Sequence, residues 1–347
     1  MKKTAAILAM ALFLSSCASL VKKVSVVEVA VDEAKMRQAA AGVASEQSGP
    51  RDIYVVKAGD TLSGIAVYMY GSYSAWRRIA SDNNLKPPYI LRAGGKLKVT
   101  DECKDMEQAP VKAEDGPFQY RVVPNTAFGV GEKLTFSVKY FGVTAGKATL
   151  EVKGLEDING RKAYHIEATA RTAPFFETFY RVKDVITSYM DVMGIFSWKY
   201  TKHLEEGGYR NDTAMIFEQE KGFAQRNKDQ KCGIPPFVQD VLSEFYYYRS
   251  VFKGEDETRI DVASDECKTY QIVVKKLRKE KVTIDAGQFN CVVVQPFLKY
   301  EGIFRQKGNV WIWLTDDGNL TPVLIKSEIA IGTIDVELQE ATVVKAQ

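Results

Sequence analysis

Period-two alternation of apolar and polar residues is the feature that most limits what this chain can fold into. In "KLTFSVKYFGVTAGKATLEVKG", Phe136, Val138 and Tyr140 fall on one face, a turn runs from Gly142 to Gly146, and Ala148, Leu150 and Val152 resume the pattern. An apolar side chain at every second position marks a half-buried strand, and two such runs about a glycine-bearing turn predict a hairpin. "KAYHIEATA" continues with Tyr164, Ile166, Ala168 and Ala170, and "FSWKYTKH" with Phe196, Trp198 and Tyr200. "TYQIVVKK", "FNCVVVQPFL", "NVWIWL", "TPVLIKSEIA" and "TIDVELQEATVV" read as further strands. One stretch departs from the period: after Pro235 and Pro236, Val238, Val241, Phe245, Tyr248 and Phe252 are spaced by three and four, as on a helix face. Residues 118–347 therefore predict a mainly antiparallel β domain, a curved sheet or open barrel, with one packed helix.

Upstream the composition changes. Lys2 and Lys3 precede an apolar run, Ala5 to Leu14, that is too short to cross a bilayer as a helix. It ends in "LSSC", Leu14 to Cys17, which resembles a bacterial lipoprotein signal: residues 1–16 are removed and Cys17 is acylated. Ala18 and Ser19 follow, with no aspartate to retain the chain at the inner membrane. The resemblance thus implies an outer-membrane lipoprotein facing the periplasm, held by its N-terminal lipid. Residues 17–51 are rich in Ala, Val, Ser and charges without a packed stripe, and read as a tether; the polar, proline-broken stretch 101–117 reads as a linker. Residues 1–16 carry two lysines and no acid, so without them the formal charge drops by two from +3, to +1. Such a balance argues against an electrostatic nucleic-acid binder.

Between tether and linker, residues 52–100 form a compact unit. "DIYVVKAGDTL" gives a strand over Asp52–Val56, a tight turn at Ala58-Gly59, and Asp60 or Thr61 as cap of a helix whose apolar face is Leu62, Ile65, Ala66 and Met69. A second helix runs from about Tyr73 to Asn83 with Trp76, Ile79 and Ala80 inward, and a strand returns through Leu97 and Val99. Tyr54, Val56, Gly59-Asp60-Thr61-Leu62, Ile65-Ala66, Tyr70-Gly71, Trp76, Ile79, Asn83, Gly94 and Leu97 together resemble a LysM domain, a small α+β module of order βααβ. The resemblance implies binding of N-acetylglucosamine glycans, in bacteria chiefly peptidoglycan. It places the sugar between the turn Gly59, Asp60, Thr61, Leu62 and the facing loop Pro88, Tyr89, Ile90. Two positions depart from the family pattern: Gly95 stands where a polar amide is frequent, and Thr100 where a proline is.

The β-rich region has a resemblance too. "GEKLTFSVKYFGVTAGKATLEV", "YHIEATART", "EEGGYRNDTAMIF", "FVQDVLSEFYYYRS" and "NVWIWLTDDGNLTPVLIKSEIAIGTIDVEL" are similar to an uncharacterised family of exported bacterial β-rich domains, over about Gly129 to Leu338. This implies a fold and an envelope setting without an activity. The strand order is also similar to that of periplasmic lipoprotein-carrier domains, an analogy of fold alone.

Little in the chain suggests catalysis. Its two histidines are His165, alternating outward beside Glu167, and His203 at a strand end before Glu205 and Glu206; neither has a third metal ligand placed by spacing. There is no Gly-x-Ser-x-Gly elbow, whereas a carboxylate pair suited to glycoside cleavage stays open, since any two acids can meet in space. Cys103, Cys232, Cys267 and Cys291 offer up to two disulfides in any of three pairings, and none forms a Cys-x-x-Cys pair. "TDDGN" reads as a hairpin turn. Trp311 and Trp313 point to one face and Val310, Ile312 and Leu314 to the other, so this strand is either buried on both sides or lines a cavity for an apolar ligand. The expectation is a multidomain envelope lipoprotein that binds peptidoglycan and carries a non-catalytic scaffolding or interaction domain, without metal, cofactor or catalytic residue. A carrier of an apolar ligand and a peptidoglycan hydrolase are the alternatives, and an envelope protein is the other partner to consider.

Overall fold

The computed structural model describes residues 53–57, 60, 62, 65–66, 69, 75–86, 89–99, 118–300, 303–305, 309–328 and 332–345. The expected signal, tether and linker, with Cys17 and Cys103, lie outside them. The described residues belong to two compact units, each taken by itself below.

In the small unit, β1 (Ile53–Val55) pairs antiparallel with β2 (Lys96–Lys98), Tyr54 opposite Leu97. Leu62, Ile65, Ala66 and Met69 are helical. The first three are buried against Val56, Leu97, Trp76 and Ile79, the last two from helix α1 (Trp76–Asp82). The end of α1 is set by Asn84, whose φ of 51° breaks the helix. Leu85 N–H then bonds the Ala80 carbonyl at 2.9 Å and Asn84 N–H that of Ser81 at 3.0 Å, the paired bonds that satisfy a helix C-terminus. Asn83 fastens this end to the sheet: its amide donates to the carbonyls of Ile79 and Lys98, and its oxygen accepts from Lys98 N–H.

The large unit is one antiparallel sheet. Its strands are β3 (Lys133–Tyr140), β4 (Val143–Ile158), β5 (Arg161–Thr172), β6 (Lys183–Asp191), β7 (Ser197–Glu206), β8 (Tyr209–Glu218), β9 (Phe223–Arg226) and β10 (Gln230–Gly233), then β11 (Glu257–Ala263), β12 (Thr269–Ile284), β13 (Gly287–Tyr300), β14 (Ile303–Arg305), β15 (Val310–Thr315), β16 (Pro322–Glu328) and β17 (Thr333–Thr342). A short helix α2 (Pro174–Glu177) lies between β5 and β6, and helix α3 (Ser243–Val251) between β10 and β11. Each strand pairs with its neighbour in sequence, except that β10 and β11 do not pair, that β14 is a side branch on β13 so that β13 pairs on to β15, and that β17 returns to pair with β3. The ladder is open, with β10 and β11 as its ends.

Those two edges nevertheless meet. Cys232 on β10 and Cys267 in the β11–β12 turn form a disulfide, their Cα atoms 5.5 Å apart. Thr269 Oγ1 donates to the Gly233 carbonyl at 3.2 Å, and Arg226 Nε to the Asp265 carbonyl at 2.6 Å. Asp265 also pairs with Lys202, both side chains being buried. Gln239, on the segment leaving β10, bonds both Asp261 and Ala263 and adds one parallel bridge to β11 at Val262. The sheet thus curls on itself and is sewn by side chains and a disulfide along a seam where no strand ladder runs.

Inside it sits α3. The segment containing Val238 and Val241 is extended or turn rather than helical, a correction to the reading of a helix face from Val238 onward. Its cause is local: Gln239 is engaged with β11, and Asp240 then caps the helix, its carboxylate accepting from Leu242 and Ser243 N–H at 2.8 Å each. Ser188 and Ser197 hydroxyls bond the same carboxylate. From α3, Arg249 enters the interior, where Nη1 and Nη2 grip both oxygens of Glu132 at 2.7 and 2.8 Å and both side chains are fully buried. Its remaining donors go to the carbonyls of Ala127 and Asn319. Burial by itself would lower the Arg249 pKa, and the charge and hydrogen bonds of Glu132 more than reverse this.

The strand with two apolar faces is packed on both. Ile312 and Leu314 join the main core with Phe128, Phe136 and Tyr246, while Trp313 joins Cys291, Val293 and Leu324 in a second cluster. Cys291 is therefore a buried free thiol, correcting its place among the candidate disulfide cysteines; burial pushes its pKa up to about 11. The β15–β16 turn is the expected one, with Asp317 Oδ1 accepting from Asn319 and Leu320 N–H. Because the disulfide closes a loop spanning a sequence separation of 35, Cys232→Ser/Cys267→Ser should destabilise the β domain by about 3 kcal/mol. Urea unfolding followed by near-ultraviolet circular dichroism reads this, and an unchanged midpoint would deny the seam its role.

Candidate glycan-binding site

The turn after β1 is built from its own acid. Asp60 Oδ2 accepts from the Tyr54 hydroxyl at 2.8 Å and from Lys57 N–H at 2.7 Å, while Asp60 N–H returns to the Lys57 carbonyl at 3.1 Å. These bonds run back to the turn and to β1, so its first role is to hold the loop's shape. Gly94 N–H and the Val56 carbonyl, and Val56 N–H and the Gly95 carbonyl, bond at 2.8 Å each and tie this turn to the start of β2. A Cβ on Gly95 would lie 2.9 Å from the Arg92 carbonyl, which gives the departure from the family pattern at Gly95 a steric reason.

The facing loop is held by aromatic packing. Tyr89 adopts φ 52°, a left-handed conformation that costs a bulky residue about 1–2 kcal/mol. Its ring stands edge-on to Trp76 at 5.3 Å, and its N–H bonds the Lys86 carbonyl. Ile90, next along, is 72% exposed, whereas Leu62 is buried at 6%. Of the expected contacts, Leu62 therefore lies in the core, Asp60 braces the turn, Tyr89 is half-buried and Ile90 presents an apolar surface. Gly59, Thr61 and Pro88 lie outside the described residues. Asp60 fixes backbone groups after β1 and Ile90 offers an exposed apolar surface, the two kinds of contact that an acetamido group with its methyl takes up.

In the large unit, the histidines engage the outer face. His165 stacks on Tyr189 at 4.9 Å and approaches Glu156 at 3.5 Å. His203 bonds Asp212, which raises its pKa. The acid pair that sequence could not locate is Asp184 with Glu206, from the top of β6 and the end of β7. Burial, then the Glu206 carboxylate, hold the Asp184 pKa up at about 7; burial raises that of Glu206 as well. The signal was present only as two inward positions of alternating strands, with nothing to say they meet.

Because the folded Asp184 holds its proton to about pH 7, its contribution to stability is complete below about pH 4 and lost as pH rises through 7. Asp184→Asn should therefore gain on the wild type between pH 4 and pH 8, by about 2 kcal/mol after allowance for solvent screening. Denaturant midpoints at several pH values test this, and a difference independent of pH would contradict it.

Comparison with known proteins bears on both units. The family model of the LysM domain matches residues 54–100, and that of a protein of unknown function, DUF3108, matches residues 135–339. Neither indicates an enzymatic family. An uncharacterised protein of Deinococcus radiodurans is 40% identical over 47 residues, 14% of this chain and 19% of that protein. The chain thus spans about a fifth of the length of this curated relative. Among solved structures, a β-barrel-like protein of the domain of unknown function DUF1849 from Brucella abortus aligns at TM-score 0.42 and 9% identity, over 65% of this chain and 100% of that one. A protein with a YmcC-like fold from Bacteroides fragilis aligns at TM-score 0.25 and 14% identity, with the same coverages.

Proposed function

The chain belongs to the DUF3108 family and carries a LysM domain ahead of that region, and on this premise we propose that it is an envelope lipoprotein that grips peptidoglycan and presents a non-catalytic β domain. The LysM domain implies glycan binding; its assignment to peptidoglycan and to the Gly59–Leu62 turn and Pro88–Ile90 loop is our reading. The observation that carries it is the braced turn, with Asp60 locked by Tyr54 and Lys57 and with Ile90 exposed. Acylation at Cys17 would fix the N-terminus in the outer membrane, and residues 17–51 would span the distance to the wall. The role of the β domain is scaffolding or interaction, since its α3 and aromatic side chains pack the inside of its sheet.

The purified full chain should sediment with peptidoglycan sacculi. Asp60→Ala and Ile90→Ser should each weaken this by about fivefold to tenfold, on the order of 1 kcal/mol per lost contact. Ile90 is exposed, so its variant separates contact from folding. Undiminished sedimentation of both variants would remove this groove from the reading, and release of muropeptides by the folded protein would overturn the non-catalytic part.

A further inference from the structure

Two neighbouring tips of the β domain leave large apolar side chains in solvent. The β5–β6 connection, Ala173 to Lys183, contains α2 and exposes Phe175 and Phe179 at 72% and 76%. The Phe175 ring lies 6.0 Å from that of Phe179 and 5.1 Å from that of Phe176. The adjoining β3–β4 turn exposes Phe141 and Val143 at 68% and 55%. Ala173 N–H bonds the Ala145 carbonyl at 2.8 Å, which places the two tips side by side. Scattered exposed apolar residues need no explanation, but four on two adjacent tips form a patch of the kind that marks a contact surface.

A second observation says what contacts it. Directly behind the tips, Lys147 on β4 is opposite Arg171 on β5, and Arg171 is opposite Lys183 on β6. Like charges directly across strands destabilise a sheet, so the fold has no use for this row. Of the acids on the neighbouring strands, Glu151 is paired with Lys133, Glu167 with Lys153 and Glu337 with Lys139, while Glu205, level with Lys183 on β7, lies 3.7 Å from both Arg210 and His203. Arg181 adds another exposed cation after Phe179, and Glu177 is the single acid between Ala173 and Lys183. Exposed aromatic residues ahead of a cluster of arginine and lysine match the chemistry of an anionic lipid surface, whose headgroups attract the cations and whose acyl boundary accepts the rings.

We propose that this end of the β domain docks on an anionic phospholipid membrane, Phe141, Val143, Phe175 and Phe179 entering the interface and Lys147, Arg171, Arg181 and Lys183 pairing with headgroup phosphates. The inference does not depend on glycan binding. Its test is vesicle sedimentation with residues 18–347, which contain every described residue and lack the apolar leader and the acylation site. Vesicles are phosphatidylcholine with or without one-third phosphatidylglycerol. The wild type should sediment with the anionic vesicles only, and lose binding as salt is raised. Phe175→Ser/Phe179→Ser should weaken binding by tenfold or more, and Arg171→Glu/Lys183→Glu should abolish it. Both pairs change exposed or half-exposed side chains, and unaltered near-ultraviolet circular dichroism confirms the fold. Equal binding of the variants, equal binding to both vesicle types, or no binding by the wild type overturns the proposal. Sedimentation of the same variants with sacculi should be unchanged, so failure here and failure of the glycan reading are told apart.

Discussion

A guanidinium removed from water needs hydrogen-bond partners, and Arg249 finds them in two distant parts of the chain. Glu132 lies just before β3, Ala127 in the approach to it, and Asn319 in the β15–β16 turn. One side chain on α3 therefore ties the helix to both halves of the sheet, close to where β17 returns to β3. Removing either partner of such a pair leaves a bare buried charge, at a cost of about 3–5 kcal/mol. The rings of Phe128, Phe245 and Tyr246 surround the guanidinium at 5.3–5.9 Å, so the pair is held in an aromatic cage that admits little rearrangement.

The pair also explains how an open sheet can behave as a closed body. Its edges share no ladder, yet the helix that crosses between them is pinned inside, and the crossing segments carry Cys232, Gln239 and Asp240 to their contacts. The interior is packed by the chain's own side chains, while Phe141, Phe175 and Phe179, among the large apolar residues left in solvent, sit in connections between strands. The same division holds in the small unit, whose helices and strands pack around Trp76 and Ile79 while its turns face outward.

Period-two alternation made the strands legible because each buries one face; Phe136, Ile166 and Tyr200 lie inward as their spacing implies. The small unit was legible for a different reason: Asp60, Asn83 and Gly94 each sit where a turn or a stitch needs that residue type. Three features stayed hidden. The partner of Cys232 depends on which strands become the sheet edges, and that is decided by the return of β17 to β3. Arg249 reads as an ordinary polar residue on an amphipathic helix until Glu132, 117 positions away, is brought to it. Val238 and Val241 have helical spacing, but the hydrogen bonds of Gln239 to β11 outweigh it. In every case a long-range contact outranks a local preference. For the candidate site, the turn and loop were legible, whereas the burial of Leu62 and the bracing of Asp60 required the packed structure.

If glycan recognition resides in the turn after β1 and the loop before β2, a chitin oligomer should change the solvent exchange of those backbone amides and few others. Hydrogen–deuterium exchange of the full chain, with and without an N-acetylglucosamine oligomer, tests this most directly. The expected result is slowed exchange confined to residues 56–62 and 86–91, with the β domain unaltered. Protection centred on the β domain, with those two segments unchanged, would contradict it.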